Sequence, residues 1–438
     1  MTVWFAEYAL LPSGLARDVR FEVSDGRFTS VAANQPSEGA SRLPGVVFAG
    51  FANAHSHAFH RALRGRTHGH GGTFWTWREG MYAVASRLDP DGYLALARAA
   101  YAEMALAGVT SVGEFHYLHH APGGARYDDP NAMAEALRQA AADAGVRVTL
   151  LDACYLAGGL RSTGHTELAG TQLRFGDGDV EGWAARVAEL SPSDGFAVGA
   201  AVHSVRAVPR EALPVVAASA AGRPLHVHLS EQPAENEACL GYYGCTPTEL
   251  LASTGILGAT ATAVHATHLT PFDIQALGTS RTTACFCPTT ERDLADGIGP
   301  ARALFDAGSP LTLGSDQHAV IDLIEEARAL EAHERLRSGE RGRFTLDELL
   351  GALTGRASLG WPDAGRLEAG AAADLVAVSL DSVRTAGSEP DQVLMSATGA
   401  DVHTVIRDGD VIVSEGQHRL GDVAALLTAA IEPLWVTG

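Results

Sequence analysis

Between residues 46 and 315 one pattern recurs: a short apolar run, an amphipathic stretch, then another apolar run. Candidate strands fall at 46–56, 110–115, 146–153, 196–203, 224–229, 262–267, 283–287 and 310–315, and helical stretches such as 91–107, 130–144, 209–221 and 320–337 separate several of them or follow the last. Eight strands alternating with helices over about 310 residues fit an α/β fold of the (β/α)8 TIM-type barrel class better than a doubly wound sheet. In such a barrel the chemistry sits at the C-terminal ends of several different strands, so the polar residues at those ends are the ones to read.

The flanks have another texture. Trp4–Leu10, Val19–Val23 and Phe28–Val31 alternate apolar and polar residues, with Ser24-Asp-Gly26 as a turn. The same alternation returns at Asp374–Leu380 and on both sides of Asp408-Gly409. Asp-Gly between alternating runs is a hairpin signal. Residues 1–48 and 362–438 are therefore expected to combine into one small β-sandwich, flanking a barrel over 49–361.

A chain of 438 residues with 46% hydrophobic and 19% charged residues describes a globular protein with a large core. No apolar stretch reaches the roughly 18 residues of a membrane span, and the start Met1-Thr-Val-Trp-Phe lacks a basic leader region, so a cytoplasmic enzyme is expected. A net charge of −20 argues against nucleic acid or an anionic membrane as partner. An anionic small molecule would need a locally positive pocket. All 32 basic residues are arginines, which removes lysine Schiff-base chemistry, the P-loop lysine and a lysine carbamate bridging two metals. The five cysteines form an odd set without repeated C-x-x-C spacing, and Cys285 and Cys287 read as small buried strand residues.

The first barrel strand ends in His55-Ser-His57. Residues two apart on a strand share a face, so the two imidazoles can share a metal ion. Alone, the pair is a weak signal, since most such histidines are ordinary polar residues. Three later strand ends supply the missing parts: Leu225-His226-Val-His228-Leu-Ser-Glu231, Val264-His265 and Leu313-Gly-Ser-Asp316. Three imidazoles and a carboxylate suit one catalytic Zn2+ with a water in an open position, although Fe2+ or Mn2+ would fit the same donors. His226 shares a face with His228 but lies deeper, and is read as a hydrogen-bonded barrel residue.

H-x-H after an apolar strand, His228-x-x-Glu231, His265 and Gly-Ser-Asp316, flanked by a split sandwich, resemble the mononuclear deaminases of the amidohydrolase superfamily over essentially the whole chain. The resemblance implies that His55, His57, His228 and Asp316 bind one zinc per subunit. It also implies that Glu231 and His265, with Asp316, handle protons, and that the subunits form homodimers. Within that superfamily, His57-Ala-Phe-His60-Arg-Ala, Phe74-Trp-Thr-Trp-Arg78-Glu, Glu114-Phe-His-Tyr117, His203-Ser-Val-Arg206 and Cys287-Pro-Thr-Thr-Glu291 are more similar to the N-formimino-L-glutamate deiminases than to base deaminases. By that resemblance the activity expected is hydrolysis of N-formimino-L-glutamate to N-formyl-L-glutamate and ammonia, a step of histidine degradation. Arg78 and Arg206 would clamp the substrate's two carboxylates, helped by Tyr117 and His203. Arginine suits that task because it binds carboxylate bidentately. Arg206 follows strand four directly, whereas Arg78 is expected in a long loop after strand one.

One position departs from that family: His60 stands where glutamine is usual. A glutamine donates and accepts at once, while a neutral histidine does so only through separate ring nitrogens. A different N-formimino amino acid, or a nucleobase or other aminated heterocycle, therefore stands as the alternative substrate. A non-catalytic metal-binding protein on the same barrel is a third reading, which the presence of Glu231 disfavours. His68, His70, His116, His119 and His120 are further pocket-rim candidates whose default reading is structural.

Overall fold

The computed structural model describes residues 1–69 and 74–435. Its centre is an eight-stranded parallel sheet in sequential order, labelled here β1 (Phe51–Ser56), β2 (Val109–His116), β3 (Arg147–Cys154), β4 (Phe196–Val202), β5 (Leu225–Leu229), β6 (Ala261–His265), β7 (Thr283–Phe286) and β8 (Leu311–Leu313). The first and last strands meet: the amides of Ser315 and Asp316 donate to the carbonyl of His55 at 3.1 and 3.0 Å, and His57 N donates back to Asp316 O at 3.3 Å. That closes the (β/α)8 barrel. Every residue of β1, β2 and β3 is buried, polar ones such as Asn53, Ser111, Glu114 and Asp152 included, as expected of parallel strands covered on both faces.

The helices begin and end where local chemistry dictates. Asp89 caps Pro90–Leu106 by accepting from Gly92 N at 2.8 Å, and Asp322 caps Leu323–Ser338, which stops at Gly339 with φ +73°. The expected helix over 209–221 is shorter, Leu213–Ser219, because Pro214 has no N–H to continue a helix upstream and favours the first turn. No helix among the described residues is long and apolar enough to cross a membrane.

The two ends of the chain build a second eight-stranded sheet, antiparallel except for one pair. Its middle is Ser41–Ala49, parallel to Thr2–Leu11 on one side and antiparallel to Leu375–Val378 on the other. The sheet folds over itself, since Phe28 N donates to Ala371 O at 3.0 Å, and encloses Trp4, Phe21, Phe28, Leu375 and Ile406. Both Asp-Gly turns adopt positive φ at both residues, 52° and 74° at Asp25-Gly26 and 50° and 82° at Asp408-Gly409.

The strand expected over 46–56 is in fact two. Val46–Ala49 belongs to the terminal sheet and Phe51–Ser56 to the barrel, with Gly50 as the switch. A Cβ at Gly50 would lie 2.4 Å from Thr110 Oγ1, so only glycine lets the chain pass there.

Candidate active site

The C-terminal ends of β1, β5, β6 and β8 converge on one point. Asp316 Oδ1 lies 3.4 Å from Nε2 of both His55 and His57, and His228 Nε2 lies 3.1 Å from His55 Nε2. The backbone helps to aim these groups: His265 and Asp316 both turn through positive φ, 69° and 41°. Non-glycine residues hold such angles only where surrounding structure compensates the strain, typically at functional sites.

Hydrogen bonds set the tautomers. His57 Nδ1 donates to Phe115 O and His228 Nδ1 to His203 O, each at 2.8 Å, leaving both Nε2 lone pairs aimed at the cluster. Burial holds His55 and His228 well below the usual histidine range, and brings His57 down to about 3, so all three are neutral donors. A tetrahedral ion with bonds of about 2.0–2.1 Å separates adjacent ligand atoms by about 3.3 Å. Two groups of ligand-like spacing share His55, one with His57 and Asp316 and one with His228 and His265, and imidazoles with a carboxylate are donors that suit a divalent cation. His265 belongs to the same cluster, with Nε2 3.8 Å from Asp316 Oδ2 and 3.9 Å from Glu231 Oε1, and Nδ1 3.5 Å from Glu291 Oε1. Burial works against protonation of that ring, but the Glu231, Glu291 and Asp316 carboxylates outweigh it and raise its pKa well above the ordinary value.

A cavity of about 730 Å3, counting its open mouth, rises from this cluster. Arg78, Arg206, His60, Tyr117, His203 and Glu231 all contribute to its wall. His60 Nε2 and the Tyr117 hydroxyl are 2.8 Å apart, and the His203 ring meets Tyr155 edge-on at 4.4 Å. Arg78 is not on a loop as expected. It lies on the helix Phe74–Ala85, one turn before Tyr82, whose hydroxyl accepts from its Nε at 2.7 Å.

The amidohydrolase family profile matches residues 46–412. The chain belongs to the amidohydrolase family. A second profile, the N-terminal domain of formimidoylglutamate deiminase HutF, matches residues 1–44. The formimidoylglutamate deiminase of Pseudomonas aeruginosa is 37% identical over 95% of this chain and 96% of its own length. The 8-oxoguanine deaminase of the same bacterium is 31% identical over 92% of each. An amidohydrolase crystal structure from Brucella melitensis superposes with a TM-score of 0.92 at 32% identity, covering 100% of both chains. At 22% identity, the zinc-complexed atrazine chlorohydrolase TrzN from Arthrobacter aurescens shares the fold, with a TM-score of 0.85 over 98% of this chain and 100% of that one.

Several residues of this amidohydrolase site carry no motif that sequence reading could pick out. Glu235, on the helix Pro233–Tyr243, is buried with Oε2 3.0 Å from Arg206 Nε, and the signal available was only its place four residues after Glu231, which precedes that helix. Gln172 donates to the hydroxyls of Tyr82 and Tyr155 at 3.1 and 3.3 Å, tying together two walls of the cavity. The additional histidines stand elsewhere. His116 and His119 lie beside Asp152, a grouping with ligand-like spacing, but Arg186 already grips both Asp152 oxygens at 2.8 and 2.9 Å. His120 bonds Asp177 at 2.9 Å, exposed His68 bonds Asp293 at 2.8 Å, and His70 lies outside the described residues. His226 Nε2 is 2.8 Å from Ser358 O, away from the cluster.

Proposed function

We propose that this amidohydrolase is a zinc enzyme that hydrolyses N-formimino-L-glutamate to N-formyl-L-glutamate and ammonia. The observation that carries the reading is the presence of two guanidiniums, Arg78 and Arg206, in the wall of one cavity whose floor is the histidine–aspartate cluster. In a chain of net charge −20, fixed arginines are what a dianion requires. The 37% identity to a formimidoylglutamate deiminase supports the same choice.

His55, His57, His228 and Asp316 would hold the zinc. The ion supplies Lewis acidity, bringing the pKa of a water beside it from about 15.7 to about 7. The chain's own groups do the rest. Arg78 and Arg206 orient the carboxylates, with Tyr117, His60 and His203 shaping the space between. Glu231 takes a proton from the substrate's amidinium and returns it to the same nitrogen as water adds. Asp316 Oδ2 takes the proton that water loses on adding to the formimino carbon, and His265, within 3.9 Å of both carboxylates, bridges its path to the leaving nitrogen. As the C–N bond breaks, the hydroxyl proton passes to Glu231, leaving the formyl group and releasing ammonia.

The 31% identity to an 8-oxoguanine deaminase favours a second reading, deamination of a heterocycle at the same cluster. An ammonia-release assay separates them. The zinc-loaded protein should release ammonia from N-formimino-L-glutamate and not from 8-oxoguanine, guanine, cytosine or adenosine. Release from a base alone would replace the proposal with the second reading, and N-formimino derivatives of aspartate and glutamine would test whether His60 has changed the acyl chain.

A further inference from the structure

Arg206 stands between two carboxylates of different standing. Its Nη2 donates to Glu231 Oε2 at 3.2 Å, while its Nε lies 3.0 Å from Glu235 Oε2. Glu231 lines the cavity, and its other oxygen points toward His265, 3.9 Å away. Glu235 is 1% exposed, and its Oε1 is pinned by the Ser230 amide at 3.0 Å. The first carboxylate is within reach of a ligand; the second is part of the wall.

Burial pushes the Glu235 carboxyl up, and the Arg206 guanidinium beside it works to keep it ionised. With both acids ionised the trio carries one net negative charge where all three side chains are largely removed from water. A carboxylate binding to Arg206 would bring that to two, and uncompensated buried charge is costly. A ligand bearing its own cation avoids the cost. We infer that ligand binding is an ion-pair exchange: the carboxylate nearest the amidinium takes Arg206 Nη2 from Glu231, and Glu231 turns to the amidinium. Glu235 does not exchange. It is a positioning residue, the permanent counter-charge that keeps Arg206 at the cavity wall while its other partner changes.

No covalent bond is altered: the Arg206–Glu231 pair is lost, and the Arg206–carboxylate and Glu231–amidinium pairs are gained. The consequence is selectivity for ligands carrying both charges. A dicarboxylate without a cation strands Glu231, and an amidine without a carboxylate finds Glu231 already engaged by Arg206. This is discrimination through the partner left unpaired as much as through the contact made. The inference rests on the proposed function for the nature of the ligand, but its test does not require turnover.

Glutarate, which has two carboxylates and no cation, is titrated calorimetrically into zinc-loaded wild type and variants. Glu231→Gln and Glu231→Ala should each bind glutarate at least about ten-fold more tightly than wild type, because Arg206 no longer has to be freed. Glu235→Gln should bind it more weakly, since Arg206 then collapses onto Glu231. A structural role for the glutamates would weaken binding in all three. Equal or weaker binding in both Glu231 variants overturns the exchange, and tighter binding in Glu235→Gln overturns the assignment of Glu235 as the fixed partner. If the expected pattern appears in a protein that releases no ammonia from N-formimino-L-glutamate, the exchange stands and only the substrate assignment falls.

Discussion

Burial keeps two histidines of the same strand neutral, and their partners put them to different uses. In β5, His228 is kept neutral and turned toward the cluster, while His226 is kept neutral and spent on a hydrogen bond to Ser358 O at 2.8 Å. Burial lowers the His226 pKa from 6.5 to about 4. Between those values the unfolded chain binds one more proton than the folded one, so this contribution to stability is complete above pH 6.5 and is lost as pH falls toward 4. The slope is about 1.4 kcal/mol per pH unit for one such group. His226→Gln retains a donor for Ser358 O without the titration, and should flatten the fall of Tm between pH 6.5 and 4; an unchanged slope would show that His226 takes up no proton there. Arg206→Ala tests the clamp at the same scale. It should raise KM for the dicarboxylate substrate about 10–100-fold, the loss of a charge-assisted pair of about 1.5–3 kcal/mol, and affect an uncharged formimino compound far less. Equal effects on the two would remove Arg206 from carboxylate recognition.

At the level of elements, the strand ends matter more than the strands. β8 is only Leu311–Leu313, and Gly314 follows it where a Cβ would lie 2.7 Å from His55 Cβ and 2.9 Å from Cys287 Sγ. Gly314→Ala must push His55 aside, and should lower zinc affinity at least about ten-fold, while overpacking costs about 1–3 kcal/mol of stability. Metal content after dialysis against a weak chelator reads this directly, and full occupancy would contradict it. The strand ends were legible because buried parallel strands announce themselves as apolar runs, and the polar residues that close them stand out. The helix Phe74–Ala85 was not legible. It follows Thr67-His-Gly-His-Gly-Gly, which reads as loop, and its first turn Phe74-Trp-Thr-Trp shows no apolar periodicity. Arg78 was therefore identified by resemblance and assigned the wrong element.

At the level of the whole molecule, the opposite end of the barrel is held by a buried charge network. Asp374, just before the strand Leu375–Val378 of the terminal sheet, accepts from Arg147 of β3 at 2.5 Å and from Thr110 of β2 at 3.2 Å. Arg356 lies 3.9 Å from the same Asp374 oxygen and donates to Thr110 Oγ1 at 2.7 Å and to Phe51 O at 3.2 Å. Burial lowers Arg356 to about 10, and the guanidinium of Arg147 adds to that effect, which shows how far the pair depends on the carboxylate between them. Asp374→Asn should cost about 3–5 kcal/mol, because it leaves two buried guanidiniums facing one another with Asp408 as the remaining partner of Arg147. Denaturant unfolding measures it, and a loss below about 1 kcal/mol would mean that the network is dispensable.

What this sequence determined unaided are properties local to a few residues. Periodicity marks the eight apolar runs, the residue types at their ends match a zinc donor set, the absence of lysine removes a carbamate bridge, and the Asp-Gly pairs place both hairpins. What only the tertiary structure decided are contacts between segments far apart in the chain. Gly50 divides one apolar run between two sheets because Thr110 crowds it, and Glu235 meets Arg206 because the turn after β4 lies against the helix that follows β5. No local pattern encodes such a meeting: a buried glutamate on a helix looks the same in sequence whether its partner is solvent or a guanidinium, and its energy depends on which one is there.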